Sequence, residues 1–118
     1  MTEIKGSSDC GNSPKNSFVQ HIAISLETNA ITPSDVSDEV VWHGMTTEPL
    51  RGRSAIDREL EGRPQPTLIV VEHAISHGKV GAASGMATYE NGRDRRFSHF
   101  FEFTNAKANC VASIKSYG

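Results

Sequence analysis

The stretch VGAASGMATYENGRDRRFSHFFEFT, Val80–Thr104, decides the fold because it predicts two β-strands joined by a tight turn. Asn91-Gly92 is a dipeptide typical of hairpin turns, and aromatic, β-branched and small residues flank it. In the first strand every second residue from Gly81 to Ala87 is Gly or Ala, so one face of that strand carries almost no side-chain bulk. Glycine within a strand often marks a bend or a close backbone approach. We therefore predict an antiparallel pair that curves strongly.

Two further strands extend this hairpin into an antiparallel meander of four strands. Thr67–Ser76 is almost continuously apolar or β-branched, and Gly78 follows it as a turn residue. Val111–Tyr117 follows a loop at residues 105–109 and forms the last strand. The second half of the chain is therefore predicted to be a single β-sheet.

Helical signals are confined to the first half of the chain. Ser13-Pro14 suits an N-cap and a first helical residue, and the apolar residues of Phe18–Leu26 then recur at helical spacing. Thr32-Pro33 repeats the start signal for a short second helix, and Ser54 caps a third. Val40–His43, between the second and third helices, predicts a short strand. Helices followed by a meander indicate an α+β fold, in which one helical layer covers a bent sheet and encloses a hollow cone.

Length and composition limit what this protein does. The 118 residues suit one domain, with a disordered polar leader at 1–12 and a single folded domain at 13–118. The formal net charge of −2 provides no basic surface for a nucleic acid. No apolar run approaches the roughly 18 residues that would span a membrane, and the leader has no apolar segment of signal-peptide type. We expect a cytoplasmic protein that binds neither nucleic acid nor membrane.

The sequence contains no motif for a metal ion or a cofactor. His73 and His77 lie four residues apart in a strand, roughly 13 Å, which is too far to share one ion with bonds of about 2 Å. Gly81–Gly85 lies within a strand pattern and opens no helix, so it is not a phosphate-binding loop. Cys10 and Cys110 lack CxxC spacing and are expected to be free thiols. We predict neither a metal nor a cofactor.

Several short motifs recur in an order that suggests a known family. They are the Val41-Trp42 strand, the Leu50–Ile56 turn with its Gly-x-x-x-Ile step, Gly78-Lys79-Val80, the glycine-rich strand, Phe100–Phe103 and Val111–Tyr117. Together, over residues 14–118, they resemble the nuclear transport factor 2-like (SnoaL-like) superfamily, which includes polyketide cyclases and ketosteroid-isomerase-like enzymes. The resemblance implies a cystatin-like α+β roll, in which a cone-shaped, strongly curved antiparallel sheet packs against about three N-terminal helices. It also implies a homodimer formed through the sheet face.

The chain departs from the family pattern at two places. Many relatives carry an acidic residue four positions before the second Phe of the Phe-x-Phe pair, where this chain has His99. Many also join the last two strands by a tight hairpin, where Thr104–Cys110 inserts about three residues. The resemblance therefore supplies no acidic general base.

His99 and His73 are the candidate catalytic residues. Alternation places His99 on one strand face with three phenylalanines, and a neutral imidazole in an apolar pocket can act as a base near neutral pH. The alternative is a buried histidine that only fixes packing. His73 shares a predicted face with Ile69, Val71 and Ile75, and a His73–His99 pair across a cavity would be an acid/base arrangement.

We predict an apolar substrate pocket inside the cone, with walls formed by Trp42, Phe18, Ile22, Val71, Met86, Phe97 and Phe101. Two functions remain open for such a domain. One is a cofactor-independent enzyme of isomerase, cyclase or hydrolase type that uses the pocket histidines for proton transfer. The other is a non-catalytic module that binds an apolar small molecule or associates through its sheet face.

Overall fold

The computed structural model describes residues 2–44 and 46–118, which form two α-helices, a short 3₁₀ helix and seven β-strands. The helices are α1 (Pro14–Glu27), the 3₁₀ helix (Pro33–Asp35) and α2 (Arg53–Leu60). The strands are β1 (Glu3–Lys5), β2 (Val36–His43), β3 (Leu50–Arg51), β4 (Leu68–His77), β5 (Val80–Thr88), β6 (Asp94–Phe103) and β7 (Val111–Tyr117). Among the residues described, no helix has the length and hydropathy needed to cross a membrane.

All the strands belong to one open sheet in the order β1-β4-β5-β6-β7-β2-β3. The predicted antiparallel meander is confirmed as β4 to β7, while β1 pairs in parallel with β4 and β2 pairs in parallel with β7. Helix α1 packs across β4 and β5, and α2 packs against β2 and β3. The helices therefore cover one face of the sheet, which we call the inner face, and leave the other, the outer face, without a helical layer.

Helix α1 forms where the sequence predicts it. The side chain of Ser13 accepts a hydrogen bond from the backbone N–H of Asn16, and Pro14 occupies the first turn. One apolar stripe of the helix is buried against the sheet, at Val19, Ile22, Ala23 and Leu26. This stripe fixes the rotation of α1 about its own axis.

The predicted second helix is only a 3₁₀ turn. Strand β2 begins at Val36, earlier than the predicted Val40, because Val36 pairs with Val111 and is buried in the core. An extended, buried Val36 stops the helix after Pro33–Asp35. The domain therefore has two α-helices rather than about three.

The segment predicted as a disordered leader is attached to the sheet. Residues Glu3–Lys5 pair with Leu68–Val70, and the N–H of Glu3 donates to the carbonyl of Thr67 at 2.9 Å. The polar side chains of this segment stay exposed, as their composition indicates. Main-chain pairing at a sheet edge needs no apolar side chains, so composition alone did not reveal it.

The small residues of strand β5 leave room for large side chains of the core. A Cβ atom on Gly85 would lie 2.1 Å from the carbonyl oxygen of Val70 and 2.7 Å from Cζ of Phe97, so only glycine fits between the neighbouring strand and this ring. The Phe97 ring thus rests directly on the β5 backbone. The small residues of β5 serve to admit aromatic side chains from β6.

A β-bulge in β4 puts residues on opposite faces of the sheet that the sequence pattern places on the same face. Val71 pairs with Gly85 and His73 pairs with Ser84, so Glu72 has no partner of its own on β5. One extra residue reverses the alternation: Val71 points inward before the bulge and Ala74 does so after it. The predicted inward face of His73 and Ile75 is therefore wrong, since both are exposed on the other side of the sheet.

Candidate functional site

A chain of hydrogen-bonded polar side chains crosses the buried core between α1 and the sheet. The indole N–H of Trp42 donates to Oγ of Ser116 at 2.7 Å. The Ser116 Oγ lies 2.7 Å from Nδ1 of His99, and Nε2 of His99 lies 2.7 Å from Oε2 of Glu27. All four residues are buried. We call this set of residues the core network.

Regular secondary structure places each member of the core network. Glu27 is the last residue of α1 and lies one turn beyond Ala23, so it falls on the buried stripe of the helix. Strand alternation turns His99 inward on β6 and Ser116 inward on β7, two residues after the buried Ile114. His99 and Ser116 are also direct cross-strand partners. The network is therefore fixed by the fold rather than by a mobile loop.

Counting donors and acceptors assigns the protons of the core network. An indole N–H only donates, so Ser116 Oγ accepts from Trp42, and an ionised carboxylate only accepts, so Nε2 of His99 carries a proton. In the neutral tautomer of His99 that carries its proton on Nε2, Nδ1 accepts the hydroxyl proton of Ser116. Within residues 2–44 and 46–118, no buried side-chain nitrogen or oxygen lacks a partner. A neutral imidazole protonated on Nε2 satisfies every group in the chain.

The core network reaches the surface through Arg95. Its guanidinium forms an ion pair with Oε1 of Glu27, and its side chain is 36% exposed. Burial raises the pKa of the Glu27 carboxyl, but the hydrogen bond and charge attraction from His99, together with those from Arg95, outweigh it, so this pKa lies below its ordinary value. Burial lowers the pKa of Arg95, but the interactions with Glu27 and Tyr89 together outweigh it, so this pKa is raised. Both groups therefore stay ionised at neutral pH.

The Ser116–His99–Glu27 series has the residue types of a nucleophilic triad, but its serine and histidine are buried. A serine nucleophile must be open to a carbonyl substrate. Ser116 is 4% exposed, and its oxygen is held by both Trp42 and His99. His99 is enclosed as well, because its ring stacks between Phe97 and Phe101, with centroid distances of 5.4 Å and 6.2 Å. The core network is suited to holding α1 on the sheet rather than to attacking a substrate.

Most side chains predicted as pocket walls pack against one another inside the cone. They belong to one buried core cluster, whose members include Trp42, Ile22, Val71, Phe97 and Phe101. Phe18 is half-buried at the edge of this cluster, with its ring centroid 6.1 Å from that of Phe103. Met86 lies on the outer face instead, because its neighbours Gly85 and Ala87 point inward. The buried members of the set occupy the interior in which the sequence predicts a pocket.

The two predicted catalytic histidines do not meet. His73 lies on the outer face with a side chain 72% exposed, and its Nδ1 is 3.1 Å from Oδ2 of Asp9. His99 lies on the inner face of the sheet. No group of three or more His, Cys, Asp or Glu residues that could hold a metal ion occurs in the described part of the chain.

Two open grooves lie on the surface. The mouth groove, about 740 Å³, lies between the Tyr89–Arg95 hairpin and the Pro64-Gln65 loop. The outer-face groove, about 480 Å³, is lined by residues that include Val80, Phe100, Glu102, Lys115 and Tyr117. The residues predicted as pocket walls do not come together in either groove. Of that set, Phe101 borders the outer-face groove.

Sequence reasoning missed Glu27 and Ser116, although both carry a readable signal. Glu27 follows Ala23 by four residues on an otherwise apolar helical stripe, and a charged residue in that position requires a partner. Ser116 follows Ile114 by two residues in a strand, so alternation turns both side chains to the same face. Together these positions indicate polar partners for His99.

No protein-family model and no curated protein sequence matches this chain. Solved structures do match it. One is a protein of unknown function from Mesorhizobium loti described as NTF2-like, with a TM-score of 0.67 and 11% identity over 95% of this chain and 97% of that one. An uncharacterised cystatin-fold protein from Novosphingobium aromaticivorans matches with a TM-score of 0.66 and 8% identity, over 88% of this chain and 97% of that one.

A third similar structure, from Kribbella flavida, is named provisionally as a ketosteroid isomerase. It has a TM-score of 0.69 and 15% identity, over 86% of this chain and 75% of that one. At such low identities the likeness concerns the fold rather than the activity. The chain therefore has the nuclear transport factor 2-like fold, as the order of its sequence motifs predicts.

Proposed function

We propose that this chain is a non-catalytic association domain that pairs with a second copy of itself through the outer face of β4–β7. The observation that carries the proposal is a cluster of large apolar side chains on that face. Ile75, Val80, Phe100 and Tyr117 are exposed by 56%, 51%, 50% and 58%. Exposed apolar patches of this kind favour burial against a partner.

The cluster is continuous across the strands. Ile75 pairs with Ala82, which in turn pairs with Phe100. The rings of Phe100 and Tyr117 make an edge-to-face contact, with centroids 5.8 Å apart. A rigid sheet therefore presents one apolar surface, which costs little conformational entropy to bury.

The charges beside the cluster favour a second copy over an unrelated partner. Glu102 and Lys115 both border the outer-face groove, and in the described residues neither forms an ion pair with another side chain. A two-fold axis brings each residue of a contact pair against its counterpart in the other copy. Glu102 of one copy can then meet Lys115 of the other, twice per interface.

Sedimentation velocity at low micromolar concentration tests the interface. The wild-type protein should sediment as a dimer, whereas Phe100→Lys should be a monomer because it places a charge at the centre of the apolar cluster. The matched control is Asp57→Lys, since Asp57 is also exposed but lies on α2, away from the outer face. A monomeric wild-type protein, or a Phe100→Lys variant that stays dimeric, would contradict the proposal.

A second candidate function is the binding of a small molecule with both apolar and polar groups at the mouth groove, where charged and polar side chains surround Tyr89 and Pro64. Its volume lies within the range of about 300–1,000 Å³ that is usual for ligand sites, and it contains both the aromatic ring of Tyr89 and the guanidinium of Arg95. Anilinonaphthalene sulfonate is a suitable fluorescent probe. Its binding should be weakened by Tyr89→Ala and retained in Phe100→Lys, and the opposite pattern would place the probe on the outer face and refute this candidate.

A further inference from the structure

The N-terminal segment is held along the edge of the sheet by hydrogen bonds rather than by apolar packing. Beyond the pairing of Glu3–Lys5 with Leu68–Val70, the hydroxyl of Thr2 donates to the carbonyl of Pro66 at 2.6 Å. The N–H of Ser7 donates to the side-chain oxygen of Gln20 at 2.7 Å. Contacts of this kind exchange readily with water. The free energy needed to detach the segment is therefore lower than that needed to open the core.

Asp9 fastens this segment at the β-bulge of β4. Its Oδ2 accepts a hydrogen bond from the backbone N–H of Ala74 at 3.1 Å and lies 3.1 Å from Nδ1 of His73. Ala74 lies beyond the stretch of β4 that β1 covers, and it is completely buried. Without Asp9, this N–H would have no strand to pair with at the edge.

The surroundings of Asp9 keep it ionised and in place. The hydrogen bond from Ala74, followed by those from His73 and Ser7, holds the pKa of the Asp9 carboxyl below its ordinary value. Its backbone carbonyl accepts from the side-chain amide of Asn16 at 3.0 Å, and Asn16 in turn accepts from the hydroxyl of Ser76 at 2.7 Å. Asp9 therefore joins the N-terminal segment to β4 through its carboxylate and to α1 through its backbone carbonyl.

We propose that residues 2–9, which we call the latch, cover a strand-acceptor edge of β4, and that the latch of a second copy occupies this edge when the first is released. An uncovered strand edge presents main-chain groups that pair with strands of other chains. The edge at Leu68–Val70 already accepts the sequence Glu3–Lys5 in parallel register. A second copy supplies the same sequence, including an Asp9 that can accept the N–H of Ala74. Its latch can therefore make with this edge the contacts that the chain's own latch makes.

The test is made in the Phe100→Lys background, in which association through the outer face does not contribute. Failure of the latch proposal can then be told apart from failure of the outer-face dimer. Asp9→Ala removes the acceptor for Ala74, whereas Asp9→Asn keeps one oxygen that can accept it. Asp57→Ala is the control, because Asp57 is exposed on α2, which packs against β2 and β3. Slow exchange at Ala83 and His99, inside β5 and β6, verifies that each variant is folded.

The first readout is amide hydrogen exchange at residues 3–5 and at Ala74. Asp9→Ala should accelerate it about tenfold or more, since a buried N–H loses its partner, and Asp9→Asn should accelerate it much less. The second readout is sedimentation as a function of concentration. Asp9→Ala should associate through the main-chain pairing of Glu3–Lys5 with β4 of another copy. An excess of a synthetic peptide of residues 2–9 should abolish the association, whereas a peptide of the same residues in scrambled order should not.

Two results would overturn the proposal. Unchanged exchange in Asp9→Ala would show that Asp9 does not hold the latch. Accelerated exchange in a variant that stays monomeric at every concentration, or association that the peptide does not affect, would show that a second copy does not occupy the edge.

Discussion

Replacing Glu27 with glutamine tests the core network most directly. Two donors face the carboxylate, Nε2–H of His99 and the guanidinium of Arg95. A glutamine amide offers one acceptor oxygen and one NH₂ group, so one of these donors meets another donor. A buried donor left without a partner costs about 1–3 kcal/mol, and Arg95 can recover part of this by turning to water. We expect Glu27→Gln to lower the free energy of unfolding by about 2 kcal/mol at pH 7.

The dependence of this loss on pH follows from the lowered pKa of Glu27. Because that pKa is lower in the folded protein than its ordinary value of 4.5, the ionised carboxylate contributes stability fully above pH 4.5. The contribution is lost as the pH falls through the folded-state pKa, when the carboxylate takes up a proton. The glutamine side chain does not titrate. The difference in stability between the wild-type protein and Glu27→Gln should therefore be largest at neutral pH and shrink as the pH falls below 4.5.

Urea unfolding at a series of pH values between neutral and acidic measures this difference. Glu39→Gln is the matched control, because Glu39 is exposed on β2 and its substitution should change the free energy of unfolding by less than about 0.5 kcal/mol. The reasoning would be refuted by a loss at pH 7 no larger than that of the control. A loss that stays constant down to strongly acidic pH would equally show that the charge of Glu27 is not what the network uses.

Three further substitutions test the placement of individual side chains. Trp42→Phe leaves a smaller ring in the core and removes the N–H that Ser116 accepts, so the cavity and the lost hydrogen bond together should cost more than about 1 kcal/mol in urea unfolding; no loss would mean that this hydrogen bond is not formed. Gly85→Ala drives a Cβ atom against the backbone of β4 and should cost more than about 2 kcal/mol, whereas its half-exposed neighbour allows Ser84→Ala at little cost. His73→Ala should cost less than about 1 kcal/mol in thermal unfolding, because the side-chain contact of His73 with Asp9 is exposed; a loss above that would argue for a buried His73.

Regular periodicity made much of the fold predictable from the sequence. Alternation in β6 places His99 inward with Phe97 and Phe101, and the structure confirms it. The small residues of β5 likewise correspond to the close approach of Phe97. Both patterns depend on an unbroken strand period of two residues, which holds throughout these strands.

The wrong predictions arise where one residue or one main-chain contact overrides the local pattern. In β4 the unpaired Glu72 reverses the facing of every later side chain, so His73 leaves the inner face. No feature of the sequence marks this bulge, since it depends on pairing with β5. The attachment of Glu3–Lys5 is hidden for a similar reason, because it uses main-chain atoms that every residue possesses.

The predicted pocket was an inference about empty space, which a sequence pattern does not encode. Periodicity correctly turns Ile22, Phe97 and Phe101 toward one interior. Whether such side chains surround a hollow or fill it depends on distances between elements. Here Glu27 at the end of α1 lies within hydrogen-bond distance of His99, and the rings of Phe97 and Phe103 pack against Gly85 and Gly81 of β5.

The glycines of β5 also make this interior unusually easy to redesign. The buried rings of Phe97 and Phe101 on β6 lie beside the small side chains of the neighbouring strand β5, and the Phe97 ring rests against Gly85. Replacing Phe97 with a smaller residue would therefore open a cavity lined on one side by the small residues of β5, without a second substitution. A scaffold of this kind offers a protein engineer a receptor for hydrophobic guests, with its shape adjusted at one position.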